Sequence, residues 1–279
     1  MVAAGRRTSA SFVRRACSGR GHDGQIMRKR TILAAIVASG LALVLTVAVW
    51  FLAAPRERGT PRPMMPTAAP LPPRNPDSST PGVSGLAATT WIRDVASATG
   101  IPRRALRAYA GVALAVAVQN PGCGLAWNTL AGIGYVESRN GEIFGATIAA
   151  DGTVSPPIYG VTLDGAGFAA IPDTDGGAID GDAKWDRAVG PMQLLPEAWR
   201  NWAGDASGDS VSDVNNIDDA AWAAAGYLCR AGADLSKPAG WRKAVLAYNA
   251  STLYLDDVIA AANRYATAAS IVRGERVSP

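Results

Sequence analysis

Twenty-four consecutive uncharged and almost wholly apolar residues, Thr31 to Ala54 (TILAAIVASGLALVLTVAVWFLAA), constrain this chain more than any other feature. As a helix they extend roughly 36 Å, enough to cross the hydrocarbon of a bilayer. We expect a transmembrane helix over 31–54. A cleaved signal peptide is the rival reading, but the run exceeds the about 7–15 residues of a signal's apolar region and no clean small-x-small site follows it.

Arg6, Arg7, Arg14, Arg15, Arg20, Arg28, Lys29 and Arg30 precede the run, whereas only Arg56 and Arg58 closely follow it, beside Glu57. The positive-inside rule then places the tail, residues 1–30, in the cytoplasm and everything after Pro55 outside the membrane. The chain as a whole carries a formal charge of +4, yet from Leu86 onward there are fifteen basic and twenty acidic residues, a net −5. An acidic exported part lacks the basic footprint that nucleic acid requires, so nucleic acid is not expected as a partner. Cys17 lies in the tail, while Cys123 and Cys229 form an even pair in a compartment where disulfides persist. We expect a bridge between them; the alternative is two separately buried thiols.

Residues 55–85 are rich in Pro and poor in large apolar side chains, the composition of an extended spacer. At about 3.1 Å per residue it could hold a domain up to about 90 Å from the membrane. The domain itself is expected over 86–279. Its pattern is mainly helical, over 91–99, 102–118, 125–139, 196–202, 217–230, 241–248 and 253–269. Between Ile143 and Lys184 short β-prone pieces (ATIAA, PPIYGVTL) alternate with Asp-Gly and Gly-Gly turn signals, which reads as a small hairpin-bearing excursion from a helical domain.

The single histidine, His22, precedes the membrane run. Ser-His-Asp and Cys-His catalysis and His-ligated zinc are therefore excluded from the exported domain. Carboxylate chemistry, hard-cation binding or no catalysis remain. In the segment ending GIGYVESRNG, Leu130, Ile133 and Gly134 stand seven, four and three residues before Glu137, which puts this carboxyl on an apolar helix face. Partial burial disfavours the ionised form, as a general acid near neutral pH requires. The other reading is a buried structural Glu paired with Arg139 or another base.

Glu137-Ser138, then Gly190-Pro191-Met192-Gln193, then Ala247-Tyr248-Asn249 occur in order. Together with WNTLAGI (127–133) and WDRAVG (185–190) they resemble lytic murein transglycosylases with the goose-lysozyme-like fold, the membrane-bound transglycosylase B branch in its actinobacterial form. The resemblance spans about 101–266. It implies a lysozyme-like helical domain that cleaves the β-1,4 bond between N-acetylmuramic acid and N-acetylglucosamine in peptidoglycan. The acid corresponding to Glu137 would protonate the bridging oxygen, then as carboxylate take the proton of the muramoyl 6-hydroxyl as that oxygen closes onto C1. A 1,6-anhydro end results, no water is consumed and no cofactor is needed. A second carboxylate is not required; Glu142 and Asp186 are the acids to weigh for one.

By the same resemblance Ser138, Met192, Gln193, Tyr248 and Asn249 would line the substrate site. On their chemistry alone Ser138 is equally a helix-terminal cap, Met192 and Gln193 are one core and one polar side chain, and Tyr248 and Asn249 simply end a helix. Asp205, Ser207, Asp209 and Val211 fall at positions one, three, five and seven of an EF-hand-like loop. Ser210 replaces the glycine of position six and Asn216 the bidentate Glu of position twelve, so that Asp218 or Asp219 would have to supply the missing carboxylate. The resemblance, whose family includes members with a calcium loop of this kind that uses a late Asp, implies Asp219 ahead of Asp218 as the late ligand of a structural calcium ion. A solvated turn is the alternative. The competing functions are a lysozyme-type hydrolase on the same scaffold and a catalytically silent wall-binding module. Expected partners are peptidoglycan strands and, through 31–54, the cell membrane.

Overall fold

In the computed structural model residues 65–272 and 274 are described. The tail, the apolar run at 31–54 and the spacer up to residue 64 lie outside the described residues. Among the described residues no helix is long and apolar enough to cross a membrane.

The architecture is mainly α. Seven helices are described: α1 (Thr89–Thr99), α2 (Arg103–Gln119), α3 (Trp127–Ser138), α4 (Pro196–Trp202), α5 (Ile217–Gly232), α6 (Pro238–Tyr248) and α7 (Thr252–Val272). They fall where the apolar period puts them. Helix α2 is central, with Ala105, Leu106 and all of Ala108–Val116 buried, so its small residues face neighbours on every side. It packs on α5, α5 on α6, and α7 lies along α3 and α1. Proline opens α4 and α6, where a missing N–H costs nothing. Asn216 caps α5 by accepting from the Asp218 N–H (3.0 Å), and Asp218 in turn pairs with Arg104 of α2. Cys123, in the turn after α2, is disulfide-bonded to Cys229 in the last turn of α5, the bridge expected of this even pair.

The excursion carries β1 (Thr147–Ile148) antiparallel to β2 (Val154–Ser155). Strand β3 (Tyr159–Thr162) pairs not within the excursion but with β4 (Arg187–Val189), just beyond it. That pairing clamps the chain entering Gly190, whose N–H donates to Ile158 O (2.8 Å).

The spacer boundary moves. Residues 65–85 were expected to be extended spacer, but they form a strap on the helices. Ala69 is buried and its N–H donates to Asn128 Oδ1 (3.0 Å); Asn128 Nδ2 donates to Thr67 O (2.9 Å) and Ala262 O (3.1 Å). Further on, Val83 is buried and its N–H donates to Ala206 O (2.8 Å). The domain therefore begins by Met65 rather than at Leu86.

Candidate active site

Helix α3 stops one residue after its acid. Arg139 and Asn140 take left-handed conformations (φ 56° and 61°), so Glu137 sits in the last turn, where the helix dipole opposes a negative charge. Leu130 and Ile133 on the same face are fully buried. They carry the carboxyl into the protein while part of its surface stays open. Burial pushes the Glu137 carboxyl up to about 7; a hydrogen bond from the Tyr254 hydroxyl to Oε1 (2.5 Å) pulls it down without cancelling that effect. Tyr254 comes from the first turn of α7. The pairing of Glu137 with Arg139 is not made, because that guanidinium lies 4.4 Å from the centroid of the Tyr135 ring. The ion pairs among the described residues, Arg93–Asp94 and Arg104–Asp218, leave Glu137 out.

The Gly190–Gln193 turn is fastened to the end of α3 by Ser138. Its hydroxyl donates to Pro191 O (2.6 Å) and accepts from the Gly141 N–H (2.8 Å), and the residue is fully buried. The substrate role expected of Ser138 is thus corrected: it is a tie between two segments with no surface to present to a sugar. Met192, expected beside the substrate, is also fully buried, and what it gives the site is its carbonyl, which accepts from the Tyr248 hydroxyl (2.6 Å). Gln193 is half-buried at φ 46° and its Nε2 donates to Gly190 O (2.9 Å), which leaves its amide oxygen unengaged among the described residues. Tyr248 closes α6. Burial first, then the Glu137 charge, raises its hydroxyl well above the ordinary value, so it stays a donor. Asn249 is exposed, and its Oδ1 accepts from the Ser251 N–H (3.1 Å), leaving the amide N–H groups outward.

Gln193 and Tyr248 line a cavity of about 280 Å³ whose walls include Glu197, Asn201, Trp202 and Tyr227. Glu137 is not in its wall; it lies on the Tyr248 side, near enough for its charge to act on that hydroxyl. The structure thus gathers Glu137, Gln193 and Tyr248 and removes the side chains of Ser138 and Met192. Of the acids weighed as a second carboxylate, Glu142 is exposed, and Asp186 is fully buried with its oxygens accepting from the N–H and hydroxyl of Thr174 (2.9 Å each). No second acid contributes to the raised Glu137 carboxyl. A protonated carboxyl beside amides and hydroxyls is equipped to give a proton to a leaving oxygen.

Comparison with known protein families, with curated proteins and with solved structures finds no match to this chain.

The Asp205 loop follows part of an EF-hand path. Asp205 accepts from the N–H groups of Gly208 (2.6 Å), Asp209 (3.2 Å) and Ser210 (2.8 Å). Ser210, at position six, holds φ 72°, the conformation for which that position favours glycine. Asp219 gathers the loop by accepting from Ala206, Ser207 and Asp213. The departures are that Asp209 Oδ1 accepts from the Val211 N–H (2.8 Å) and that no three of the loop's carboxylates bring their oxygens within 4.8 Å of one another. Among the described residues the group of three acids whose oxygens lie within 4.8 Å of one another is Asp173, Asp175 and Asp186.

Sequence reasoning missed Tyr254. It also missed Asn140, buried between two tyrosines: Tyr109 donates to its Oδ1 (3.3 Å) and its Nδ2 donates to Tyr265 (3.1 Å). Glycines and arginines around Glu137 gave no hint of either contact.

Proposed function

We propose that the chain is a peptidoglycan lytic transglycosylase, held at the cell membrane with its helical domain outside, and that Glu137 is its one catalytic acid and base. The observation that carries this reading is a carboxyl raised to about 7, bonded by Tyr254 and free of any basic partner among the described residues. Such a group is available both to protonate the glycosidic oxygen and to accept the muramoyl 6-hydroxyl proton afterwards. Gln193, Tyr248 and Asn249 supply amide and hydroxyl groups matched to sugar hydroxyls and acetamides. The order of Glu137-Ser138, Gly190-Pro191-Met192-Gln193 and Ala247-Tyr248-Asn249, and the resemblance it carries, supports the same reading. No cofactor takes part in the chemistry, and a calcium ion at the Asp205 loop would be structural. The test is mass spectrometry of products from purified sacculi. Anhydro ends are the expected result; reducing ends, heavier by one water, would make the protein a lysozyme-type hydrolase, and no release at all would leave a wall-binding module.

A further inference from the structure

Beyond Trp202 the cavity beside Gln193 gives way to a second one. Trp202, the last residue of α4, stands in the walls of both, and the second has a volume of about 490 Å³, within the ~300–1,000 Å³ usual for ligand sites. Its floor and rim bring together Trp202, Trp222, Gln119, Asn120, Arg230 and the disulfide at Cys229. Two glycines seat the two indoles. A Cβ at Gly226 would come within 2.8 Å of the Trp202 ring, and one at Gly204 within 2.9 Å of the Trp222 ring, so neither indole could hold its place over a larger residue.

Both tryptophans are half-buried and keep part of an aromatic surface open. Neither indole N–H has an acceptor among the described residues, and the side chains of Gln119 and Asn120 likewise make no hydrogen bond there. The lining therefore offers apolar ring surface, uncommitted donors and amides, and one cation. A cationic ligand would find no carboxylate in this lining, a multiply charged anion would find only Arg230, and lipid tails would leave the amides unpaired. A pyranose with an acetamido group has apolar C–H faces for the rings and hydroxyl and amide groups for the rest. We propose that this groove is an accessory saccharide site that takes N-acetylhexosamine units of the same glycan strand, after it crosses Trp202 from the cavity beside Gln193. The strand's identity rests on the function proposed above; the groove's preference for amino sugars rests on its own lining.

The test uses the full-length protein in detergent with Glu137→Gln, so that the ligand is not cut, and tetra-N-acetylchitotetraose as probe in titration calorimetry. Trp222→Leu should raise the Kd of a groove-bound tetramer about tenfold, the usual consequence of truncating a well-placed tryptophan. Gln119→Ala combined with Asn120→Ala should weaken it in the same direction. Both side chains are exposed and make no hydrogen bond among the described residues, so this second variant reports on binding even if the first folds poorly. Tetramer binding unchanged in the folded variants overturns the inference, as does loss of affinity for a free stem peptide with the tetramer bound as before. Product release by the unaltered protein is scored separately. Amino-sugar binding at the groove without cleavage removes the proposed activity and leaves this site standing; cleavage with no tetramer bound at the groove does the reverse.

Discussion

Glu137 and Asp173 carry the same functional group and are surrounded in opposite ways. Glu137 lies at the end of a helix, where neighbouring N–H groups are already taken, and burial with one tyrosine hydroxyl for company raises it to about 7. Asp173 lies in an irregular loop, and the N–H groups of Asp175, Gly177 and Gly176 turn toward it and hold its carboxyl below the ordinary range. Asp205 repeats that pattern. Burial acts to raise it, but the N–H groups of Gly208 and Ser210, the Ser207 hydroxyl and the Asp209 N–H outweigh that. Asp219 falls between the two cases: burial keeps it raised in spite of the N–H groups of Asp213, Ser207 and Ala206. The supply of backbone donors, set by local secondary structure, thus decides whether an acid here keeps a proton or organises a loop.

The largest effect expected from this contrast is on catalysis. Glu137→Gln keeps shape and the acceptor for Tyr254 but has no acidic proton, and glycan release should fall at least about a hundredfold. A smaller loss would move the catalytic acid elsewhere. In the unaltered protein kcat/KM should decline on the alkaline side with a midpoint near 7, as Glu137 ionises.

The same substitution should stabilise the fold. Between pH 4.5 and about 7 the native protein holds a proton on Glu137 that the unfolded chain has released, so the stability this group contributes is lost as pH rises through that window. Above pH 7 the amide removes a penalty of at most about 3 kcal/mol. Denaturant unfolding at pH 8 and at pH 4.5 checks this: the Gln variant should gain at pH 8 and gain little at pH 4.5. Equal stabilities at both would mean that the carboxyl is solvated in the fold.

How far the sequence discloses these two regions differs for a physical reason. The helices follow from apolar period and punctuation, and α4 begins at the proline and ends at the tryptophan expected of it. Glu137 was visible because an acid on the Leu130–Ile133 face breaks that pattern. The strap at 65–85 was not, because Asn128 recognises its backbone, which leaves no pattern in its side chains. Ser138 was misread because its partner, Pro191, is set by tertiary packing 53 residues away, and Tyr254 was overlooked across 117. The β3–β4 pairing escaped for the same reason, since β4 is too short to show a period.

Calcium tests the donor-rich side of the comparison. If the Asp205 loop binds the ion with a Kd of ~0.1–1 mM, 10 mM calcium should stabilise the domain by about 2 kcal/mol, read as a higher Tm after prior chelation. Magnesium should do less, since it tolerates a flexible oxygen loop poorly. Asp205→Asn with Asp209→Asn should abolish the response and leave the cleavage proposed for Glu137 unaffected. No shift at 10 mM would reduce the loop to a turn held by its own N–H groups.

Tyr254→Phe probes the single donor that Glu137 does have, and its effect should be the smallest, because that hydrogen bond only partly offsets burial. The ring is nearly enclosed at 7% exposure, so phenylalanine keeps the packing and the fold. What disappears is the hydroxyl that favours the ionised carboxyl. Glu137 should then hold its proton to higher pH, and the alkaline limb of kcat/KM should move upward from its midpoint near 7 while the plateau below it changes little. A limb that stays in place would show that the hydroxyl does not stabilise the carboxylate during turnover. A limb that moves down would mean that Tyr254 supports the protonated acid, and the sense of its hydrogen bond to Glu137 would have to be reversed.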